Sequence, residues 1–419
     1  MFGKVLWGRA ADIFMARATD RRSAALAWGA TEPLRILMAG DYPGAPTFGS
    51  SKVYFKLREE FEALGHSVRV IFTEELGVRP SHRLLRAPVA PWLAFRCVRH
   101  VVQKEGPFDV LDIASAEALW TACFRRASGV LRSAVINRSH GLEHLNYRRM
   151  VDDHHAGIAS KPWHRRLFYP AVRLTQVAAA ARCSDRLIVL NGADREFALR
   201  SGWLTEDSIW SVPHGVSDRY LSGASVTVGP RGRGILFCGT WTAVKGIDYL
   251  VRGYERYASL GGSMELSVLG GNVPTDWIKN AFEPATRQRL RVVERSPEDV
   301  VINHYRSHDT LVFPSTYEGF GMVLAEAMSQ GIAVIATPVG AGAELVEHEV
   351  TGLRIPPRDP EAIAQALLRL EKDCELRLRL GENARRRVAG MSWRRTAERT
   401  VECYRSALCQ RRSGLSPKD

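Results

Sequence analysis

The chain has 419 residues, 45% of them apolar and 25% charged. That is ordinary globular composition for two domains or one large one, and it excludes a disordered chain, a fibre and a small disulfide-stapled scaffold. Lys plus Arg outnumber Asp plus Glu by 58 to 45, a net charge of +13, which favours an anionic partner such as phosphate groups, nucleic acid or an acidic membrane surface.

Residues 1–33 read as an N-terminal extension. Basic residues interrupt every apolar cluster there, so no continuous hydrophobic signal is expected, and an amphipathic helix lying on a surface stays open beside a plain extension. The pattern changes at Leu34. Arg35–Ala39 is a short apolar strand, closed by Gly40-Asp-Tyr-Pro-Gly44. A second Gly loop around Gly49 leads into a helix over Lys52–Ala63, and a strand follows at Ser67–Phe72. This is one βαβ unit.

The stretch from Leu76 to Lys104 carries Arg79, Arg83, Arg86, Arg96, Arg99 and Lys104 and no acid, with Trp92 and Phe95 interleaved. Two readings stay open: a solvated helix face over core aromatics, or a docking surface for an anionic membrane or lipid-linked acceptor. Its longest apolar run, Ala87–Phe95, contains two prolines and is half the length that spans a bilayer.

Further strands are expected at Val110–Ile113, Ala134–Asn137 and Arg186–Leu190. His140-Gly-Leu-Glu143-His144 spells H-x-x-E-H, but it follows a strand and contains Gly141, so a helical zinc site is not expected. Asp152-Asp-His-His155 reads as a solvated loop. The seven cysteines form no C-x-x-C pair, which suits a reducing cytosol.

After the turn-rich Val212–Ser217 the pattern restarts. Gly234–Gly239 is a strand, the loop Thr240–Gly246 opens a helix over Ile247–Ala258, and strands follow at Met264–Leu269, Arg291–Val293, Leu311–Phe313 and Ala333–Ala336. Alternating strands and helices imply parallel sheets covered on both faces. The expected division is 1–33 extension, 34–211 first domain, 212–218 linker, 219–395 second domain, and 396–419 a helix crossing back to the first domain with a tail. The cleft between the domains is the default ligand site. No G-x-G-x-x-G, P-loop or D-x-D pattern is present. Nor does a zinc-finger or RRM pattern support nucleic acid.

The most informative stretch is Phe313-Pro-Ser-Thr-Tyr-Glu318-Gly-Phe-Gly-Met-Val-Leu-Ala-Glu326. A strand ends at Pro314. Two carboxylates then flank a Gly-containing helix start, whose amides can meet a phosphate or an oxyanion while the carboxylates accept hydrogen bonds from hydroxyls.

This E-x7-E stretch resembles that of the retaining glycosyltransferases of family 4, which have the GT-B fold. The resemblance runs from about Leu34 to Tyr404 and includes Gly49, Ser139-His140-Gly141, Pro213-His-Gly-Val216, Lys245-Gly246, Pro338-Val-Gly340 and Thr351-Gly-Leu353. It implies two Rossmann-like domains whose parallel sheets face each other across a cleft, the first binding acceptor and the second nucleotide sugar. Catalytic roles would fall to His140, Lys245 and Glu318. Donor-binding positions would be Gly49, Thr240, Lys245, Glu318, Gly319, Phe320, Gly321, Val323, Leu324 and Glu326.

Glu318 would hold sugar hydroxyls, Glu326 the ribose, and Lys245 the diphosphate, with His140 under the sugar. No metal or other cofactor is expected. The family setting is cell-surface polysaccharide or glycolipid assembly, in the cytoplasm or at the inner face of the membrane. Two departures stand out. Thr240 replaces the family's Arg, with Arg295 and Arg354 as unassigned substitutes. His214 replaces a turn Asn, where it is expected to stabilise the turn. A silent nucleotide-sugar- or glycan-binding subunit and a nucleotide-sugar epimerase of the same fold remain the alternatives.

Overall fold

The computed structural model describes residues 32–45, 49–77, 83–125, 130, 132–158, 167–222 and 234–412, with the backbone alone at 83–85. Residues 1–31 of the expected extension, and Arg79, lie outside these.

Two six-stranded sheets form, and every strand pair in them is parallel. The first contains β1 (Arg35–Ala39), β2 (Ser67–Ile71), β3 (Val110–Ala114), β4 (Ala134–Arg138), β5 (Arg186–Val189) and β6 (Ile209–Ser211), in the order β2-β1-β3-β4-β5-β6. The second contains β7 (Gly234–Cys238), β8 (Glu265–Leu269), β9 (Leu290–Val293), β10 (Thr310–Phe313), β11 (Ala333–Ala336) and β12 (Leu353–Arg354), in the order β12-β11-β10-β7-β8-β9. Strands such as β3, β4, β10 and β11 are buried along their whole length, which is why they read as continuous apolar runs rather than alternating ones.

In open parallel sheets, ligands bind where the strand order reverses. The first sheet reverses between β1 and β3 and the second between β7 and β10. Helix α1 (Gly49–Ala63) follows β1. Helix α2 (Arg83–Glu105) covers one face and holds Pro88 and Pro91 inside it. Helix α3 (Ile247–Ser259) follows β7, α4 (Glu298–Ser307) precedes β10, and α5 (Met322–Ser329) follows it.

The last helix, α6 (Trp393–Arg412), packs on the first sheet. Trp393, Ala397, Val401 and Tyr404 share a core with Ile36, Leu57 and Ile136. At its centre the Arg138 guanidinium pairs with Asp112 through Nε and Nη2 at 2.9 and 2.5 Å, and both side chains are fully buried. Tyr404 donates to the same carboxylate. Breaking such a pair from one side costs about 3–5 kcal/mol, so α6 is anchored to the middle of the first sheet. No helix among the described residues is long and apolar enough to cross a membrane.

Candidate active site

Strand β10 delivers the first carboxylate. The loop after Pro314 is fixed to the loop after β7: Thr316 N donates to Val244 O at 2.9 Å, and Gly246, at φ +73°, packs so close that a Cβ there would lie 2.0 Å from Pro314 O. This places Lys245 beside Glu318, Nζ to Oε1 at 2.5 Å, and Ser315 Oγ donates to the same oxygen at 2.8 Å. Gly321, at φ +94°, caps α5, and the Phe313 ring leaves no room for a side chain there. Gly340 presses on Phe320 O, which accepts from Ala341 N. The first amides of α5 therefore open beside Glu318, as helix N-termini do toward anions.

Glu326 lies on α5 among core residues and is only 8% exposed. Its Oε1 is 3.0 Å from the Nζ of Lys52, on α1, and that ammonium is also 2.8 Å from Glu298 Oε1.

The first sheet contributes a closing surface. The turn after β4 brings His140 and Gly141 against the Glu318 loop, where a Cβ on Gly319 would lie 2.0 Å from His140 O. Tyr317 OH donates to Leu142 O at 2.9 Å. Asn191 caps its helix through Oδ1 and donates from Nδ2 to Gly319 O at 2.6 Å. Farther out, Arg358 pairs with the buried Asp153 at 2.7 Å. The imidazole of His140 is buried between Tyr42, Tyr54 and His214. Burial, aided by Arg138, pushes its pKa down to about 3, so it stays neutral, and its Nε2 has no partner.

The other expected residues fall as follows. Gly49 opens α1, and a Cβ there would touch Met322. Val323 is half-buried in the first turn of α5. Leu324 is fully buried, and its amide is already used on Gly321 O, so its place is structural. Thr240 is exposed, its hydroxyl 3.5 Å from that of Thr242. Arg354 does not substitute for the missing family Arg, because its guanidinium is spent on the carbonyls of Ala343 and Val346. Arg295 is exposed beyond β9.

His214 does more than stabilise a turn: it stacks on Trp393 and meets Phe320 edge-on, tying the linker and α6 to the Glu318 loop. The H-x-x-E-H residues diverge. Glu143 is held by Arg173 and Tyr169, and His144 packs against Trp203. Of the basic run, Arg86 is committed to Asp41 at 2.8 Å, so it is not a docking base, whereas Arg96, Arg99 and Lys104 are exposed on α2. Asp152-Asp-His-His155 is the end of the helix Glu143–His155 rather than a loop.

Sequence reasoning passed over Lys52, Glu298, Tyr317 and Arg358. Asn191 carried a readable signal, an Asn immediately before a helical pattern.

Residues 229–387 match the family described as glycosyl transferases group 1. The match covers every strand of the second sheet and none of the first. An uncharacterized glycosyltransferase of Methanocaldococcus jannaschii is 32% identical over 176 residues, 42% of this chain and 45% of that protein. The match thus spans less than half of that relative. A D-inositol 3-phosphate glycosyltransferase of Saccharomonospora viridis is 26% identical over 406 residues, covering 88% of this chain and 91% of that one.

Among solved structures, a sucrose-phosphate synthase of Thermosynechococcus elongatus superposes with a TM-score of 0.70 at 21% identity, over 88% of this chain and 98% of that one. Anabaena HepE in complex with UDP-glucose gives 0.60 at 16%, over 91% and 100%. The fold of this chain is GT-B, as the alternating pattern and the E-x7-E resemblance implied.

Proposed function

We propose that the protein transfers a sugar from a nucleotide diphosphate sugar to an acceptor hydroxyl with retention at the anomeric carbon and without a metal, 34–211 serving as the acceptor domain and 219–395 as the donor domain. The observation that carries this reading is Glu318 held by Lys245 at the open end of α5, against the His140–Gly141 turn.

Glu318 accepts hydrogen bonds from sugar hydroxyls and Glu326 from the ribose. Lys245 has three donors and engages Glu318 with one. The others meet the diphosphate, whose growing charge also faces the amides of α5. The bond from the anomeric carbon to the diphosphate breaks, the acceptor oxygen bonds on the same face, and the departing phosphate oxygen takes the acceptor's proton. His140, neutral because buried, offers an uncharged hydrogen bond under the sugar. Closure of the Gly141–Gly319 seam keeps water from the donor.

The HepE structure holding UDP-glucose makes UDP the first nucleotide to test. The acceptor is proposed to be a glycan or lipid-linked hydroxyl at the inner face of the cell membrane, approached through the aromatic and basic face of α2.

The test is turnover of UDP-, GDP- and ADP-sugars with and without EDTA, with lipid and glycan acceptors. Acceptor-dependent, EDTA-resistant release of one nucleotide supports the reading. Product without acceptor indicates the epimerase. Nucleotide binding without any turnover indicates the silent subunit, the reading that uncharged Thr240 favours.

A further inference from the structure

We propose that Lys52 is a positioning residue for donor binding: it reaches from the first domain to orient the ribose carboxylate of the second, and so makes nucleotide affinity depend on closure of the cleft. The proposal rests on the reading of Glu326 as the ribose ligand.

Lys52 stands in the first turn of α1, the helix that follows the switch point of the first sheet. Among the described residues, the partners of its ammonium belong to other parts of the chain. Glu326 Oε1 is 3.0 Å away on α5, Glu298 Oε1 is 2.8 Å away at the start of α4, and the Tyr220 ring lies 5.8 Å off, beyond the linker. The side chains are mostly shielded, with Lys52 19% and Glu326 10% exposed. Burial alone would lower the pKa of Lys52. Glu326 and Glu298 outweigh it and hold the ammonium above the ordinary lysine value, charged across the neutral range.

A carboxylate this buried needs a cation or a set of donors to offset its lost hydration. In the closed molecule Lys52 supplies the cation and takes Oε1. A carboxylate has about four lone-pair sites, so two vicinal hydroxyls can still be accepted. When the domains part, Lys52 leaves with α1 and Glu326 loses both its charge partner and its orientation. Ribose binding and closure then favour each other by linkage. The Asp153–Arg358 pair and the Gly319 seam hold the domains elsewhere, so removing the lysine charge is a local change.

The test uses the full chain in Lys52→Met, Lys52→Arg, Glu326→Gln and the double Lys52→Met/Glu326→Gln forms. Binding of UDP, GDP and ADP is titrated calorimetrically, and the nucleotide that binds is repeated as its 2′-deoxy form. Lys52→Met is expected to raise the Kd about tenfold and to leave kcat at saturating donor within about twofold. It should also shrink the preference for the ribose form over the 2′-deoxy form. Lys52→Arg should restore most of both.

In the Glu326→Gln background, Lys52→Met should add nothing, because it acts through that carboxylate. Additive losses, or an unchanged 2′-deoxy ratio in Lys52→Met, would make Lys52 merely structural and overturn the proposal. Lys52→Met binding like wild type while Glu326→Gln loses affinity would overturn it and leave the ribose reading standing. Glu326→Gln binding like wild type, or no binding of any of the three nucleotides, would overturn both. Should Lys52→Met unfold, Lys52→Arg carries the test alone, since loss of the 2′-deoxy discrimination there also overturns the proposal.

Discussion

The ammonium of Lys245 lies 2.5 Å from Oε1 of Glu318, although the two residues come from different switch-point loops of the second sheet. The pair is set by backbone, since Gly246 and Pro314 are in contact at the roots of both loops. Removing either charge therefore changes the electrostatics with little change of shape. Glu318→Gln is expected to lower kcat by about 10²–10³, the size seen when a group aimed at transition-state charge is lost. Lys245→Ala should do the same, and the double variant should be little worse than either, because the two act as a unit. Steady-state kinetics on a saturating donor checks this. Wild-type turnover in Glu318→Gln would remove Glu318 from the mechanism.

Gly319 closes the cleft by having no side chain. A Cβ there would lie 2.0 Å from His140 O and 2.9 Å from the Cα of Gly141, and both are backbone atoms of the other domain. Each domain has its own core, so Gly319→Ala should fold and yet hold the domains apart. The expected outcome is a melting temperature within a few degrees of wild type and activity down at least about 100-fold, since a displacement near 1 Å costs that much in alignment. Small-angle scattering of the nucleotide-bound variant should give a larger radius of gyration. An unchanged scattering profile with full turnover would show that this seam does not govern closure.

The two sheets were legible because most of their strands are local, buried apolar runs. Arg35–Ala39 and Ala333–Ala336 were placed to the residue, and most others within one or two. The two shortest strands, β6 and β12, were missed, having three and two residues and no pattern of their own. Glu318, Gly321 and Glu326 were legible for the same local reason: one strand–loop–helix segment carries them all.

What stayed hidden crosses the cleft. Lys52 and Glu326 are 274 positions apart and Asp153 and Arg358 are 205 apart, and no periodicity encodes such pairings. At its own position Lys52 was only the first polar residue of an amphipathic helix. Pro88 and Pro91 lie inside the 23-residue α2, where packing outweighs local propensity.

Asp194 should print a pH signature on stability. It is fully buried beside the His140 turn, accepts from Leu142 N at 3.2 Å through Oδ2, and leaves Oδ1 without a partner. Burial raises its pKa to about 7, against the opposing hydrogen bonds from Leu142 and Asn191. Between about pH 4 and 7 the folded chain holds a proton there that the unfolded chain has released. Stability contributed by this group is therefore full below pH 4, falls as pH rises to 7, and is flat above. The integrated effect is on the order of 4 kcal/mol. Asp194→Asn should remove that component and stabilise the protein at pH 8. Urea unfolding of both forms at pH 5, 6, 7 and 8 checks it. A pH-independent difference between them would mean that Asp194 is ionised throughout.

The α2 face makes the remaining prediction. Val89, Trp92, Arg96 and Arg99 are spaced 3, 4 and 3 apart and all point outward, with Val89 41% and Trp92 48% exposed. Phe124 extends the apolar patch at 49% exposed, stacked on Trp120, which in turn meets Trp92 edge-on. Aromatic rings beside exposed bases suit a bilayer interface with anionic headgroups.

Each basic residue near such a surface contributes about 1 kcal/mol. Arg96→Glu with Arg99→Glu should therefore weaken partition to phosphatidylglycerol-containing vesicles by more than about tenfold, and binding to pure phosphatidylcholine should change little. Trp92→Ala with Phe124→Ala should weaken both. Raising salt should lower wild-type binding and barely affect the double Glu form, because screening acts only on the charge contribution. Equal partition of wild type and double Glu forms to anionic vesicles would assign the face to solvent, and the acceptor would then have to reach the cleft by another route.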